Sequence, residues 1–290
     1  MKPVRKAVLP VAGLGTRVLP GAKTTPKEML NIVDRPILSY IIAEGRAAGI
    51  EHFVFVTGRG KNAIEDYFDH HPELESQLEA KGKLDILEAV RADLPRPGEM
   101  SFVRQMAPLG LGHAVWCARD IIGDEPFAVM LPDMLMHADP PALAQAVEAY
   151  NQVGGNIVVV EPVPEGQAHK YGIVALDGED PKLNRMTGMV EKPAKGTEPS
   201  NLFISGRYIL QPEIFNLLGD QAKGAGGEIQ LTDAMARLMA LEPFHALKYD
   251  GVTYDCGDKI GLLRANVAYA LQHPELGADA RAAVTALLAG

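Results

Sequence analysis

Ala7-Val8-Leu9-Pro10-Val11-Ala12-Gly13-Leu14-Gly15-Thr16-Arg17 starts as a short apolar run, breaks into a glycine turn and ends on a cation. Residues 7–11 read as a buried strand. The glycines behind it let the backbone approach a ligand closely and turn N–H groups toward phosphate oxygens. A tight strand-to-loop turn would use the same glycines, so the residues that follow decide between the two. A dinucleotide fingerprint wants a third small residue where Val18 stands, and a Walker loop wants Gly-Lys-Ser/Thr, whereas Gly21 is followed by Ala22. What remains is a turn with Arg17, Lys23 and Lys27 within a short reach, a set that suits a triphosphate better than a solvated face. Gly13, Gly15, Thr16 and Lys23 are therefore candidate nucleotide-binding residues.

Outward from this turn, β-rich runs alternate with helical patterns: 37–48 helical, 53–57 strand, 61–68 helical. Residues 101–104, a helix near 112–120 and the strand 127–131 continue the alternation. This is βαβ grammar, and it implies an α/β fold with a Rossmann-like, mostly parallel central sheet flanked by helices. Asp133 then stands at the carboxyl edge of a buried strand, where open α/β sheets place their ligands. From Asn156 the strands 156–161, 173–175, 188–190 and 202–209 come with fewer helices between them, which implies a mixed sheet. Helices are expected at 213–218, 229–241 and 259–272, followed by an Ala-rich tail after Pro274, and 94–99 reads as a loop. No linker divides the chain, so residues 1–290 are expected to form one domain. Within it we expect a nucleotide half to about 150, a second half over about 151–258, and C-terminal helices over about 259–290 that dock on the core or on another subunit.

Composition narrows the function classes. The 290 residues are 47% hydrophobic, enough for a substantial core. The apolar runs are too short to cross a bilayer and the N-terminus leads into a strand, which predicts a cytoplasmic protein. Cys117 and Cys256 stand far apart with no metal-ligand spacing, as expected of plain thiols in a reducing compartment. A formal charge of −9 disfavours nucleic-acid and anionic-membrane partners, so a phosphate ligand needs a local cationic site.

The glycine turn, Arg17, Leu19-Pro20 and Pro26-Lys27-Glu28-Met29-Leu30 together resemble the opening pattern of the sugar-phosphate nucleotidylyltransferases. The run from Gly13 to Pro36 is similar, more narrowly, to the bacterial UTP–glucose-1-phosphate uridylyltransferases. The likeness recurs in Gln105…Gly110-Leu111-Gly112-His113-Ala114, Leu131-Pro132-Asp133, Tyr171-Gly172-Ile173-Val174 and Val190-Glu191-Lys192-Pro193. It continues in Gly227-Glu228-Ile229-Gln230-Leu231-Thr232-Asp233 and Tyr254-Asp255-Cys256-Gly257. Asn31 departs from the family's usual proline, and Gly21-Ala22 departs from the commoner Pro-x-Thr before Lys23, but neither change removes a charged group.

The resemblance implies that a phosphate oxygen of glucose 1-phosphate attacks the α-phosphorus of UTP and expels pyrophosphate. The nucleophile is already an anion. The task is then to hold two repelling anions together and neutralise the leaving group, with no general base required. Magnesium suits this because it binds phosphate and carboxylate oxygens and keeps several waters. Asp133 is the expected first ligand and Asp255 the second. A turn-capping Asp133 and a helix-capping Asp255 are the structural alternatives. The resemblance makes Arg17, Lys27, Asp133 and Lys192 the catalytic set. It assigns the uracil end to Ala12, Gly13, Gln105 and Gly110, with Glu28 supporting the loop, and treats His113 as structural. It gives Glu191 to glucose hydroxyls, Lys192 to the sugar phosphate, and Gly172 and Ile204 to the hexose pocket. An exposed Glu191–Lys192 ion pair and a bulge at Gly172 are the alternatives there. Similar enzymes are commonly tetramers. The competing readings are a sibling transferase using dTTP or another hexose 1-phosphate, a silent nucleotide-sugar sensor, and a dinucleotide oxidoreductase, which Val18 disfavours.

Overall fold

A computed structural model describes residues 1–164, 166–220, 224 and 227–289. Strand β1 (Lys6–Pro10) runs into a loop of short 3-10 turns, then a small ribbon of β2 (Asn31–Ile32) and β3 (Arg35–Pro36), and helix α1 (Ile37–Ala47). Next come β4 (His52–Thr57), α2 (Asn62–Phe68), α3 (Pro72–Ala80), α4 (Leu84–Arg91) and β5 (Met100–Arg104). Helices α5 (Leu111–Cys117) and α6 (Arg119–Ile122) lead to β6 (Phe127–Met130), β7 (Met134–His137), α7 (Ala142–Val153) and β8 (Asn156–Pro162). The second half adds β9 (Gly172–Asp177), β10 (Leu183–Glu191), β11 (Leu202–Leu210), α8 (Ile214–Gly219) and α9 (Leu231–Leu238). It closes with β12 (Phe244–Lys248), β13 (Val252–Asp255), α10 (Lys259–Gln272) and α11 (Gly277–Ala289).

Nine strands form one sheet in the order β5-β4-β1-β6-β11-β8-β12-β10-β9. The α/β architecture is as expected, with parallel order concentrated in the first four strands. Beyond β6 the sheet is mixed: β11 enters antiparallel to β6 and β8, β12 returns parallel to β8, and β10 and β9 add antiparallel. Few helices separate these later strands, so most of the connections reverse direction.

Period-two alternation divides the core into two layers. Ala7 and Leu9 of β1, with Phe53 and Phe55 of β4, face the helices α1, α2 and α7. Val8, Val54 and Val56 face the opposite layer, built on α5, α6, α8 and α9. Strands buried on both faces read as continuous apolar runs, which is why β4 and β6 were legible without alternation. Helix α1 lies so close to the sheet that a Cβ on Gly45 would come within 2.5 Å of the Phe53 ring.

The chain leaves β1 toward β4 and β5, then comes back to β6 on the other side of β1. The carboxyl ends of β1 and β6 therefore flank a topological switch point, where the crevice of an open α/β sheet lies. Residues 11–30 and 131–133 emerge there.

Candidate active site

The loop after β1 turns at Gly15 in the left-handed region (φ 65°), where a Cβ would crowd Lys27 Cβ at 3.2 Å. That compact fold lays Lys27 back under the turn. A cleft of about 430 Å³ opens beside it, lined by Ala12, Gly13, Thr16, Lys27, Gln105, Gly110 and Asp133, all expected from the sequence. Glu228 closes the far side: the Leu109 carbonyl accepts from Ile229 N–H at 2.7 Å, and the Ile229 carbonyl accepts from Gly112 N–H at 2.8 Å. Gly110 (φ 104°) permits this approach, because a Cβ there would lie 2.7 Å from Glu228 Cβ.

Gln105 donates its amide N–H to the Gly110 carbonyl at 3.0 Å and sits 3.1 Å from His113 Nδ1. The side-chain nitrogen is thus held by the loop, which leaves the amide oxygen as the half available to a donor on a base. Burial holds the His113 pKa below its ordinary value, so its neutral ring serves as a partner for Gln105. Glu28 does not line this cleft. It is fully buried and paired with Lys61 at 2.8 Å, a pin beneath the loop. Lys23 does not line the main cleft but stands beside Arg59 and Lys61 in a smaller cavity that shares Gly13, Leu14 and Lys27 with it.

Two carboxylates meet at the crevice. Lys27 Nζ lies 2.5 Å from Asp133 Oδ2, and Arg17 reaches both Asp133 Oδ2 (3.4 Å) and Asp255 Oδ2 (3.0 Å). The two aspartates are far apart in sequence and are joined by an antiparallel ladder in which Met134 of β7 faces Asp255 of β13. Burial opposes the ionisation of Asp133, but Lys27 and Arg17 outweigh it and hold the carboxyl below its usual range. Burial lifts Asp255 above that range, an effect that Arg17 only partly offsets. Burial likewise opposes the charge of Lys27, yet Asp133 and Glu28 keep its pKa raised. Asp258 is the residue that caps α10, accepting from Gly261 N–H at 2.8 Å, so Asp255 is not needed there.

A Cβ built on Gly257 would fall 2.7 Å from Asp133 Oδ2 and 2.8 Å from Asp255 Oδ1, and against Arg17 Nη2. Both carboxylates therefore converge on one small space that only glycine leaves open. A pair of converging carboxylates is the hard oxygen donor set that suits a divalent cation. Among the described residues no cluster of three or more His, Cys, Asp or Glu side chains offers a closed metal cage.

A second cluster brings together the residues expected at the sugar. Glu191 ends β10 opposite Gly172 of β9, and a Cβ on Gly172 would meet Glu191 Oε2 at 3.1 Å, Ile204 Cδ1 at 3.2 Å and Thr232 Oγ1 at 3.3 Å. Lys192 Nζ is 3.5 Å from Glu191 Oε1, and its backbone is held in the left-handed region (φ 47°), uncommon for a residue with a side chain. Tyr208 is buried nearby: burial raises its pKa, the charges of Glu191 and Asp133 add to the shift, and Arg207 opposes it.

Residues 6–272 match the nucleotidyl transferase family. The chain belongs to the nucleotidyl transferase family. Against the UTP–glucose-1-phosphate uridylyltransferase of Bacillus subtilis, this nucleotidyl transferase is 49% identical over 95% of its own length and 94% of the relative's. The structure of a UDP-glucose pyrophosphorylase from Acinetobacter baumannii superposes with a TM-score of 0.91 at 43% identity, covering 98% of this chain and 99% of the other. A UTP-bound UGPase from the same organism gives 0.90 at 42% identity, covering 97% and 99%.

Two site residues of this nucleotidyl transferase have no role in the sequence reading. Thr232, in the first turn of α9, donates to Glu191 Oε2 at 2.7 Å and fixes one of its oxygens. Glu228 lines the cleft. Both lie in the run from Gly227 to Asp233, whose polar residues at the entrance to a helix were the available signal.

Proposed function

We propose that this chain transfers the uridylyl group of UTP to glucose 1-phosphate, forming UDP-glucose and pyrophosphate. The observation that carries the reading is the meeting of Arg17 and Lys27 from the glycine turn with Asp133 and Asp255 around the space left by Gly257. The relatives' names support the same activity.

The base lies in the cleft, with the backbone of Ala12 and Gly13 and the oxygen of Gln105 facing its polar edge. The triphosphate crosses the turn of Gly15 and Thr16, and Lys23 waits in the smaller cavity for its distal end. Arg17, whose side chain is 57% exposed, turns from the carboxylates to the phosphates. Lys27 stays buried and offsets the charge that builds on the leaving group. Glu191 accepts from the glucose hydroxyls, Gly172 and Ile204 face the ring, and Lys192 holds the sugar phosphate in line. A sugar-phosphate oxygen forms the new bond to the α-phosphorus as the bond to the bridging oxygen breaks, and pyrophosphate leaves with that electron pair. Magnesium held by Asp133 and Asp255 would screen the phosphates from one another. The two C-terminal helices give the chain a surface for self-association, and the tetrameric state that the resemblance implies and the cytoplasmic location expected from the sequence fit this reading.

The test is pyrophosphate release from UTP and glucose 1-phosphate with and without magnesium, alongside dTTP and other hexose 1-phosphates. Magnesium-dependent release fastest with UTP and glucose 1-phosphate is expected. No release, or a clear preference for another pair, overturns the assignment.

A further inference from the structure

Arg207 is wholly buried in β11 and does not itself line the cleft, yet all five of its N–H donors are used. Nε and Nη2 make a two-pronged pair with Glu44 of α1, at 3.0 Å to Oε1 and 2.7 Å to Oε2. The other N–H groups go to carbonyls: Nη1 to Leu131 at 3.0 Å and to Gly206 at 3.4 Å, and Nη2 to Met134 at 3.0 Å. Leu131 and Met134 bracket Pro132-Asp133, and Met134 N–H donates to the Leu131 carbonyl at 3.2 Å to close that turn.

The grip extends to the second carboxylate. Met134 faces Asp255 across the β7–β13 ladder, and Cys256 N–H donates to the Asp133 carbonyl at 2.8 Å. Glu44 is itself anchored, since its Oε1 also accepts from Leu143 N–H at the start of α7, at 3.0 Å. Local backbone irregularity makes the approach possible. The register of β11 against β8 shifts between Ile204 and Tyr208, and Gly206 (φ 96°) stands where a Cβ would come 2.9 Å from Met134 Cγ and 3.1 Å from Leu131 Cβ.

A buried ion pair is poor evidence for stability, because apolar side chains of similar volume often serve a core equally well. A guanidinium has a different use: its rigid fork fixes acceptors on several sides at once, which a lysine nitrogen cannot do. We propose that Arg207, clamped by Glu44, is a positioning residue that sets the spacing of the Asp133 and Asp255 carboxylates and so their hold on a divalent cation. The inference rests on the reading of those aspartates as the metal-holding pair.

The test compares wild type, Arg207→Lys and the double variant Glu44→Met/Arg207→Met, which removes both buried charges together and keeps the core apolar. Mn²⁺ binding in the presence of UTP is read from the free-ion electron paramagnetic resonance signal, and kcat and both KM values are measured on the folded fraction. In either variant Mn²⁺ binding is expected to weaken about five-fold or more and kcat to fall about ten- to a hundred-fold, with KM for glucose 1-phosphate changed less than about two-fold. A lower melting temperature with wild-type Mn²⁺ affinity and kcat would reduce Arg207 to a structural role and overturn the proposal. If wild type itself neither binds Mn²⁺ nor releases pyrophosphate, the functional reading falls and takes this one with it. If wild type does both and the variants match it, only the positioning role falls.

Discussion

At Asp133 three demands meet: a largely buried carboxylate, two cations on it, and a place at the carboxyl edge of the sheet. Asp133→Asn keeps the volume and removes the charge. The variant should fold and lose about 10²-fold or more in kcat, the scale of losing a preorganised electrostatic group. Near-normal turnover in a folded Asp133→Asn protein would remove the aspartate from the mechanism. Lys192 makes the opposite kind of prediction. Its side chain is half exposed and its partner Glu191 has a second anchor in Thr232, so Lys192→Ala should leave the sugar cluster standing. KM for glucose 1-phosphate should rise well above any change in KM for UTP. A rise confined to UTP would place Lys192 on the wrong substrate.

Between β13 and α10 the chain must pass directly beneath two carboxylates, and Gly257 is the residue that lets it. Gly257→Ala puts a methyl group among Asp133 Oδ2, Asp255 Oδ1 and Arg17 Nη2, and the flexible arginine can move aside where the two carboxylates cannot both do so. Turnover should fall about 10²-fold, as for other misplacements of about 1 Å, while circular dichroism stays unchanged. An alanine variant with full activity would mean that the space between the carboxylates is not used. The element scale also shows what could be read from sequence. Strands β1, β4 and β6 were legible because their burial on both faces leaves unbroken apolar runs. Helix α10 was legible to both of its ends because Asp258 caps it and His273-Pro274 stops it. Helix α7 is not among the elements expected above, although Ala142, Leu143, Ala146, Ala149 and Tyr150 recur at helical spacing and are all buried. Helices α3 and α4 bury only Glu75, Leu78 and Leu87 and so leave little apolar periodicity to read. The β7–β13 ladder had no local signal at all, because its two strands stand far apart in the chain. That ladder is what unites Asp133 and Asp255, so the carboxylates were legible as residues while their union was not. Arg207 was illegible for a related reason: an arginine inside Leu202–Leu210 looks like a stray charge in a mostly apolar strand, and only the fold reveals its five acceptors.

Among the described residues, the C-terminal helices carry a group of exposed apolar side chains. Helix α11 has thirteen residues and none is buried, with Leu287 82% and Leu288 84% exposed. A helix of that length is marginal in water unless something packs against it. Ile260 and Leu263 of α10 and Leu276 between the helices are exposed as well, so the apolar side chains are spread over the C-terminal pair. Leu287 and Leu288 stand at the C-terminal end of α11 and do not line the cleft that holds Lys27 and Asp133, so a contact made through them is separate from it. Covering a leucine contributes about 1.5–3 kcal/mol, and a symmetric contact counts each leucine once per copy. Light scattering should give wild type a mass that is a multiple of the 31.2 kDa chain. Leu287→Glu/Leu288→Glu should lower that mass and the melting temperature while kcat per chain stays within about two-fold, because burying a carboxylate at such a contact is costly and the site is elsewhere. A wild-type mass of one chain, or an unchanged mass in the double glutamate variant, would show that the leucines serve some other purpose.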